Sequence, residues 1–179
     1  MPAACRVILV GMMGSGKTTV GHLLSQRTGW PYHDNDQLLD QLFGATPRQV
    51  LAASGEDRLR ESESSALALG LRSPAPCIVG TAAGTILDEH NRQLLTRSGI
   101  VVWLRATPAV LGERALGAEH RPWLDTGGEA WILASAAERD PLYGSIADLV
   151  VDTGGRVPGQ IADEILGGIA ERCPDLPRP

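Results

Sequence analysis

Residues 11–18 read GMMGSGKT, the spacing G-x-x-x-x-G-K-[ST], and no other run constrains this chain as tightly. It follows a β-branched apolar run, RVILV at 6–10, and precedes Val20, Leu23 and Leu24 at helical spacing. Strand, loop, then helix is the setting in which this motif wraps phosphate. Gly11, Gly14 and Gly16 let backbone N–H groups turn inward, with Ser15 and Thr19 completing the loop. The helix start adds its dipole, Lys17 reaches the β and γ phosphates of ATP, and the Thr18 hydroxyl suits Mg²⁺. Fifteen of the 16 basic residues are arginine, and the one lysine is Lys17. A planar guanidinium does not replace a compact ammonium in a tight phosphate loop, so the exception falls where the chemistry requires it.

The alternation continues downstream. Cys77–Val79, Ile100–Leu104 and Leu149–Val151 read as buried strands, and Pro31–Asp34 as a weaker one. Gly55–Leu71, Ala130–Arg139 and Pro158–Glu171 read as helices, the last with proline in its first turn. Strands alternating with helices imply an α/β fold with a doubly wound parallel sheet, binding its ligands at the carboxyl ends of the strands. With 179 residues, 43% of them apolar, one domain is expected over 1–172, followed by a frayed tail over 173–179. Segment 112–128 is glycine-rich, polar and poorly periodic, and is expected to be a mobile lid.

A net charge of −5 argues against coating a polyanion, so nucleic acid is not an expected partner. The apolar run near the N-terminus is too short for a signal peptide core or a membrane span, so a cytoplasmic protein without a membrane partner is expected; a monomer is the expected state. Cys5, Cys77 and Cys173 are odd in number and widely spaced, so reduced thiols and no disulfide are expected.

Asp34 and Asp36, in HDND, end the second strand candidate. Their alternation could direct one carboxylate to a metal and the other to a substrate hydroxyl, although Asp-x-Asp in a turn is also a common Asx-turn or helix cap. Further motifs follow in order: G-E-x-x-L-R-x-x-E at Gly55, Glu56, Leu59, Arg60 and Glu63; R-P-W-L at 121–124; R-D-P-L-Y at 139–143; and D-T-x-x-R-x-P ending at Pro158.

With the phosphate loop, this series resembles the shikimate kinase family from Gly11 to about Pro158. The resemblance implies a three-layer α/β/α P-loop NTPase fold of the nucleoside monophosphate kinase-like kind, with a five-stranded parallel sheet and a lid. It also implies ATP and Mg²⁺ as cofactors and a small hydroxy acid, most specifically shikimate, as partner. By resemblance, Arg60 and Arg139 hold the acid's carboxylate, with Glu63 orienting Arg60. Asp36 binds the hydroxyls and accepts the proton of the attacking one. Asp34 holds Mg²⁺ through water, beside Thr18. Arg121 in the lid closes over the transferring phosphoryl group as a third catalytic residue beside Lys17 and Asp36. Arg114 and Arg156, with Pro158, sandwich the adenine. Trp30, Trp103 and Trp131 are expected in core or half-buried positions.

The chain departs from the family's triple glycine after the third strand, where it carries Ala82, Ala83 and Gly84; Ala83 and Gly84 are candidate substrate contacts. Alanine keeps the N–H donors but adds a methyl and resists positive φ, so either the loop avoids such angles or the pocket differs in shape. Two other readings stay open: a kinase of gluconate or another polyol or cyclitol, and a nucleotide-binding relative without turnover.

Overall fold

The computed structural model describes residues 5–115, 122–173 and 176, the side chains of 115 and 122–127 excepted. Five strands, β1 (Arg6–Val10), β2 (Tyr32–Asp34), β3 (Cys77–Gly80), β4 (Ile100–Arg105) and β5 (Leu149–Asp152), form one parallel sheet in the order β2-β3-β1-β4-β5. The five expected strands are all present, each within a residue of its expected ends. Among the described residues seven helices surround them: α1 (Lys17–Thr28), α2 (Asn35–Phe43), α3 (Pro47–Leu71), α4 (Glu89–Ser98), α5 (Pro108–Ala115), α6 (Pro122–Ile146) and α7 (Pro158–Ile169), with a short 3₁₀ turn at Thr85–Leu87.

Alternation along the central strands sorts the core into two layers. Ile8 and Val10 of β1, with Val101 and Trp103 of β4, pack against Leu67 and Leu71 of α3, Leu95 of α4 and Ile132 and Tyr143 of α6. Val7 and Leu9, with Val102 and Leu104, pack on the other face against Val20 and Leu24 of α1 and Ile161, Ile165 and Ile169 of α7. Both faces are covered, as a parallel sheet requires, and the result is the three-layer α/β/α arrangement expected. A third cluster, including Leu38, Leu39, Val50 and Leu59, holds α2 against α3 beside the sheet. Among the described residues, no helix is long and apolar enough to cross a membrane.

Local chemistry explains where several helices begin. Thr46 caps α3 reciprocally with Gln49, and Pro47 occupies its first turn, so helix starts well before Gly55. Gly55, at φ 81° and ψ −178°, breaks α3 in two, and the helix expected over 55–71 is its second part. The helix expected over 130–139 likewise extends to Pro122–Ile146, interrupted at Gly128 and passing through Pro141. The segment expected as a lid is partly helical: 112–115 end α5 and 122–128 open α6, while Arg121 lies outside the described residues.

The reduced-thiol expectation is overturned for two cysteines. Cys5 and Cys173 are joined in a disulfide, their Cα atoms 5.2 Å apart, and Cys77 is a buried free thiol. They are 168 residues apart in sequence, so spacing carried no hint; the sheet and α7 bring them together. Cys173 is accordingly buried, and Leu176 packs against the same cluster, so the stretch expected to fray is anchored at these two positions.

Candidate active site

The phosphate loop turns between β1 and α1 with Gly11, Gly14 and Gly16 at φ 143°, 84° and 99°, angles that L side chains avoid. At Gly11 space forbids a side chain as well: a Cβ there would stand 2.5 Å from the Leu104 carbonyl oxygen. Gly16 caps α1 without any side-chain hydrogen bond, and no acidic residue occupies the first turn. The first N–H groups and the positive end of the helix dipole are therefore left for an anion. Ser15 Oγ is buried without a hydrogen-bond partner, and Lys17 Nζ donates to the carbonyls of Gly11 (2.7 Å) and Met12 (2.9 Å). This donor set fits a nucleotide's phosphates.

Asp34 uses both of its oxygens. Oδ1 accepts from the Asp36 N–H at 3.0 Å and caps α2, while Oδ2 accepts from the Thr18 hydroxyl at 3.0 Å and the Tyr32 hydroxyl at 2.9 Å. The helix-cap reading of HDND is met by Asp34 Oδ1. A hydroxyl and a carboxylate beside a phosphate loop are the hard oxygen donors that Mg²⁺ takes from protein, the remainder coming from water and phosphate. The pair Thr18 and Asp34 fits that ion. Asp36 is exposed and lines the same cavity.

Tyr32 was not a sequence candidate. A Cβ on Gly21 would stand 2.3 Å from its ring and one on Gly80 2.2 Å from its hydroxyl oxygen, so two glycines make its seat. Burial, then the Asp34 carboxylate, pushes its phenol pKa far above the ordinary range, and the hydroxyl stays a donor. The nearest sequence signal was the glycine at the end of β3.

A second part of the cavity lining carries two arginines. Arg60, on α3, donates to Glu63 at 2.7 Å and Glu56 at 2.8 Å. Burial opposes its charge, but Glu63 and Glu56 outweigh burial and raise its pKa. Arg139, on α6, is 5% exposed. Its Nε makes no hydrogen bond, and its one ion pair among the described residues is a 3.9 Å contact with Glu138. Burial lowers its pKa, and repulsion from Arg60 is among the lesser causes. Burial pushes the Glu63 carboxyl up, against the pull of Arg60. Of the carboxylates beside the two guanidiniums only Glu63 is buried, Glu56 and Glu138 being exposed, so the buried part of the cluster suits a further carboxylate.

The loop after β3 closes the space between the ends. Among the described residues no non-glycine residue has positive φ, and Gly84 sits at φ −83°, so Ala82 and Ala83 fit without strain. Ala82 is packed away, and the Ala83 carbonyl accepts from the Tyr143 hydroxyl at 2.9 Å. Gly84 alone must lack a side chain, because a Cβ there would meet Arg60 Nη1 at 1.8 Å. The alternative in which the loop avoids positive angles is the one realised.

The phosphate loop, Asp34, Asp36, Arg60, Ala83, Gly84 and Arg139 line one cavity of about 560 Å³, a size suited to small-molecule ligands. Arg114, Arg156 and Pro158 line it too. Arg114 donates to Gly14 O (3.2 Å) and Thr153 O (2.6 Å), tying α5 to the phosphate loop and to the chain after β5. Arg156 is held by the Asp152 carbonyl at 3.0 Å and the Glu164 carboxylate at 2.6 Å. Trp30 and Trp103 are buried as expected, but half-buried Trp131 lines the cavity.

Phosphate gathered at one end and an anionic acceptor at the other is the division of labour of a P-loop small-molecule kinase. The family model for shikimate kinase matches residues 13–170. A shikimate kinase of Marinomonas sp. (strain MWYL1) is 38% identical over 171 residues, 94% of either chain. The solved shikimate kinase from Acinetobacter baumannii in complex with shikimate superposes with a TM-score of 0.89 at 30% identity, covering 95% of each chain. The chain belongs to the shikimate kinase family. A gluconokinase from Sinorhizobium meliloti, covering 97% of this chain and 95% of its own, shares the fold at 21% identity and a TM-score of 0.65.

Proposed function

We propose that this protein transfers the γ-phosphoryl group of ATP, with Mg²⁺, to a hydroxyl of shikimate, giving shikimate 3-phosphate and ADP on the route to aromatic amino acids. The observation that carries the reading is the cluster of half-buried Arg60 with buried Glu63 and Arg139, lining the same cavity as the phosphate loop. Gluconate is also an acid, but the family match over residues 13–170 favours shikimate.

On this reading Lys17 and the loop amides of Gly14 to Thr19 hold the phosphates, and Thr18 and Asp34 hold the ion. Mg²⁺ supplies neutralisation of charge on the phosphate oxygens when bound. Arg60 and Arg139 bind the carboxylate and fix which hydroxyl faces the phosphate loop, with the backbone of Ala83 and Gly84 against the ring. Asp36, on the first turn of α2, orients that hydroxyl and takes its proton as the oxygen–phosphorus bond forms and the bond to ADP breaks. Arg114, Arg156 and Pro158 flank the adenine, and Arg121 stabilises the charge in transfer. The protein works as a cytoplasmic monomer, with neither nucleic acid nor membrane as partner.

The test is coupled ADP release by purified protein with ATP and Mg²⁺ on shikimate, quinate, gluconate and nucleoside monophosphates. Turnover on shikimate is expected. Turnover on gluconate with a flat trace on shikimate would hand the reading to a polyol-acid kinase, and nucleotide binding without any turnover to a non-catalytic relative.

A further inference from the structure

Arg139 poses a physical question that the family's motifs leave open. A guanidinium this buried is normally held by carboxylates or carbonyls. Glu63 accepts its short hydrogen bond from Arg60 instead. Glu138, the ion-pair partner of Arg139, is a neighbour in sequence whose side chain is 61% exposed, and it stands 3.9 Å away. What stands directly against Arg139 is an aromatic face: its Cζ lies 5.5 Å from the centroid of Trp131.

Trp131 is well placed for that contact. It precedes Arg139 by eight residues on α6, two turns and a little more, so both side chains project from nearly one face of the helix. It packs against the buried cluster containing Leu111, Ile132 and Tyr143, and it also lines the cavity. A ring anchored in the core and facing a desolvated cation is in the geometry where cation–π attraction is strongest. A ring also leaves the N–H edges of the guanidinium open to an acid, which a tightly paired carboxylate does not.

We propose that Trp131 is a positioning residue for acid recognition: its indole holds the Arg139 guanidinium on the cavity wall, oriented to receive the substrate's carboxylate. The inference rests on the reading of Arg139 as a carboxylate-binding residue and deepens it. Because the indole acts through Arg139, its effect should fall on the acid.

The experiment is steady-state kinetics of Trp131→Leu, Trp131→Phe, Arg139→Lys and the double variant Trp131→Leu/Arg139→Lys, with thermal unfolding of each. Trp131→Leu should raise KM for shikimate roughly five- to ten-fold, the size of a desolvated cation–π contact, with KM for ATP and kcat within two-fold. Trp131→Phe, which keeps a π face, should recover most of the loss. In the double variant the two effects should fall short of multiplying, since the ring acts through Arg139. A KM for shikimate within two-fold of wild type in Trp131→Leu, an equal rise in KM for ATP, or fully multiplicative effects would overturn the inference. Wild-type protein inert on shikimate would overturn this inference and the proposed function together. Active wild-type protein with an unmoved Trp131→Leu would overturn the inference alone.

Discussion

The phosphate end of the cavity is made from one run of the chain, residues 11–19, whereas the acid end is assembled from α3, the loop after β3 and α6. At the phosphate end the ligand-facing groups are largely backbone amides, and local glycine geometry sets their direction. At the acid end they are long side chains, each held by a neighbour on its own helix, Glu63 for Arg60 on α3 and Trp131 for Arg139 on α6, with the gap at Gly84 supplied by the loop after β3. A run of backbone tolerates little change and shows itself in sequence. A cluster of side chains can be retuned one contact at a time, and this is where a family on one scaffold can adjust its acceptor.

Asp36 lies between the two ends, and changing it should have the largest effect. Asp36→Asn should lower kcat by roughly 10² to 10⁴, the range for losing a general base, with KM for ATP little altered; an unchanged kcat would remove Asp36 from that role. Two glycines then test the contrast directly. Gly84→Ala should leave thermal stability nearly intact, because its φ of −83° suits alanine and the 1.8 Å clash is with a side-chain tip that can swing. Its KM for shikimate should rise about ten-fold or more as Arg60 is displaced, the scale of a hydrogen bond to a charged group. Gly11→Ala meets backbone at 2.5 Å, at φ 143°, where nothing can swing. It should cost about 1–3 kcal/mol in chemical denaturation and weaken ATP binding. Similar behaviour of the two variants would dissolve the distinction between the ends.

Smaller effects sharpen it. Tyr32→Phe removes one of two hydroxyl donors to Asp34 Oδ2; activity should fall roughly two- to ten-fold, most at limiting Mg²⁺, with Mn²⁺ affinity measured by electron paramagnetic resonance falling in parallel. The smallest is a pH effect at His33 on β2, whose pKa is lowered from 6.5 by burial and then by Arg6. A lowered folded pKa favours the neutral ring, so its stabilising contribution is present above pH 6.5 and is lost as pH falls below it. His33→Asn should flatten the decline of Tm on acidification without changing KM at pH 7.5.

How far each feature could be read from sequence follows from how local its cause is. Four strands were legible as β-branched or apolar runs and β2, reading YHD, only weakly, and the phosphate loop as glycines at fixed spacing. The first turn of α3, capped by Thr46 and Gln49, carried a local signal that was passed over. Asp34 was ambiguous because one carboxylate answers to two local rules at once. Tyr32 and Trp131 gave no signal because an aromatic residue near a strand or on a helix is usually core, and Trp131 packs on core as well as facing the cavity. Cys5 and Cys173 were misread because proximity across 168 residues leaves no periodic trace.

The sequence by itself determined the parallel α/β scaffold, the phosphate loop and the motif series that identifies the family, since each depends on short-range periodicity or on residues at fixed spacing. Only the tertiary structure decided that Ala82 and Ala83 are tolerated, that Gly84 must yield space to Arg60, and that Trp131 backs Arg139. The first two are set by the path of the loop after β3 against α3, and the third by how α6 turns one side toward the cavity, none of which short-range spacing encodes.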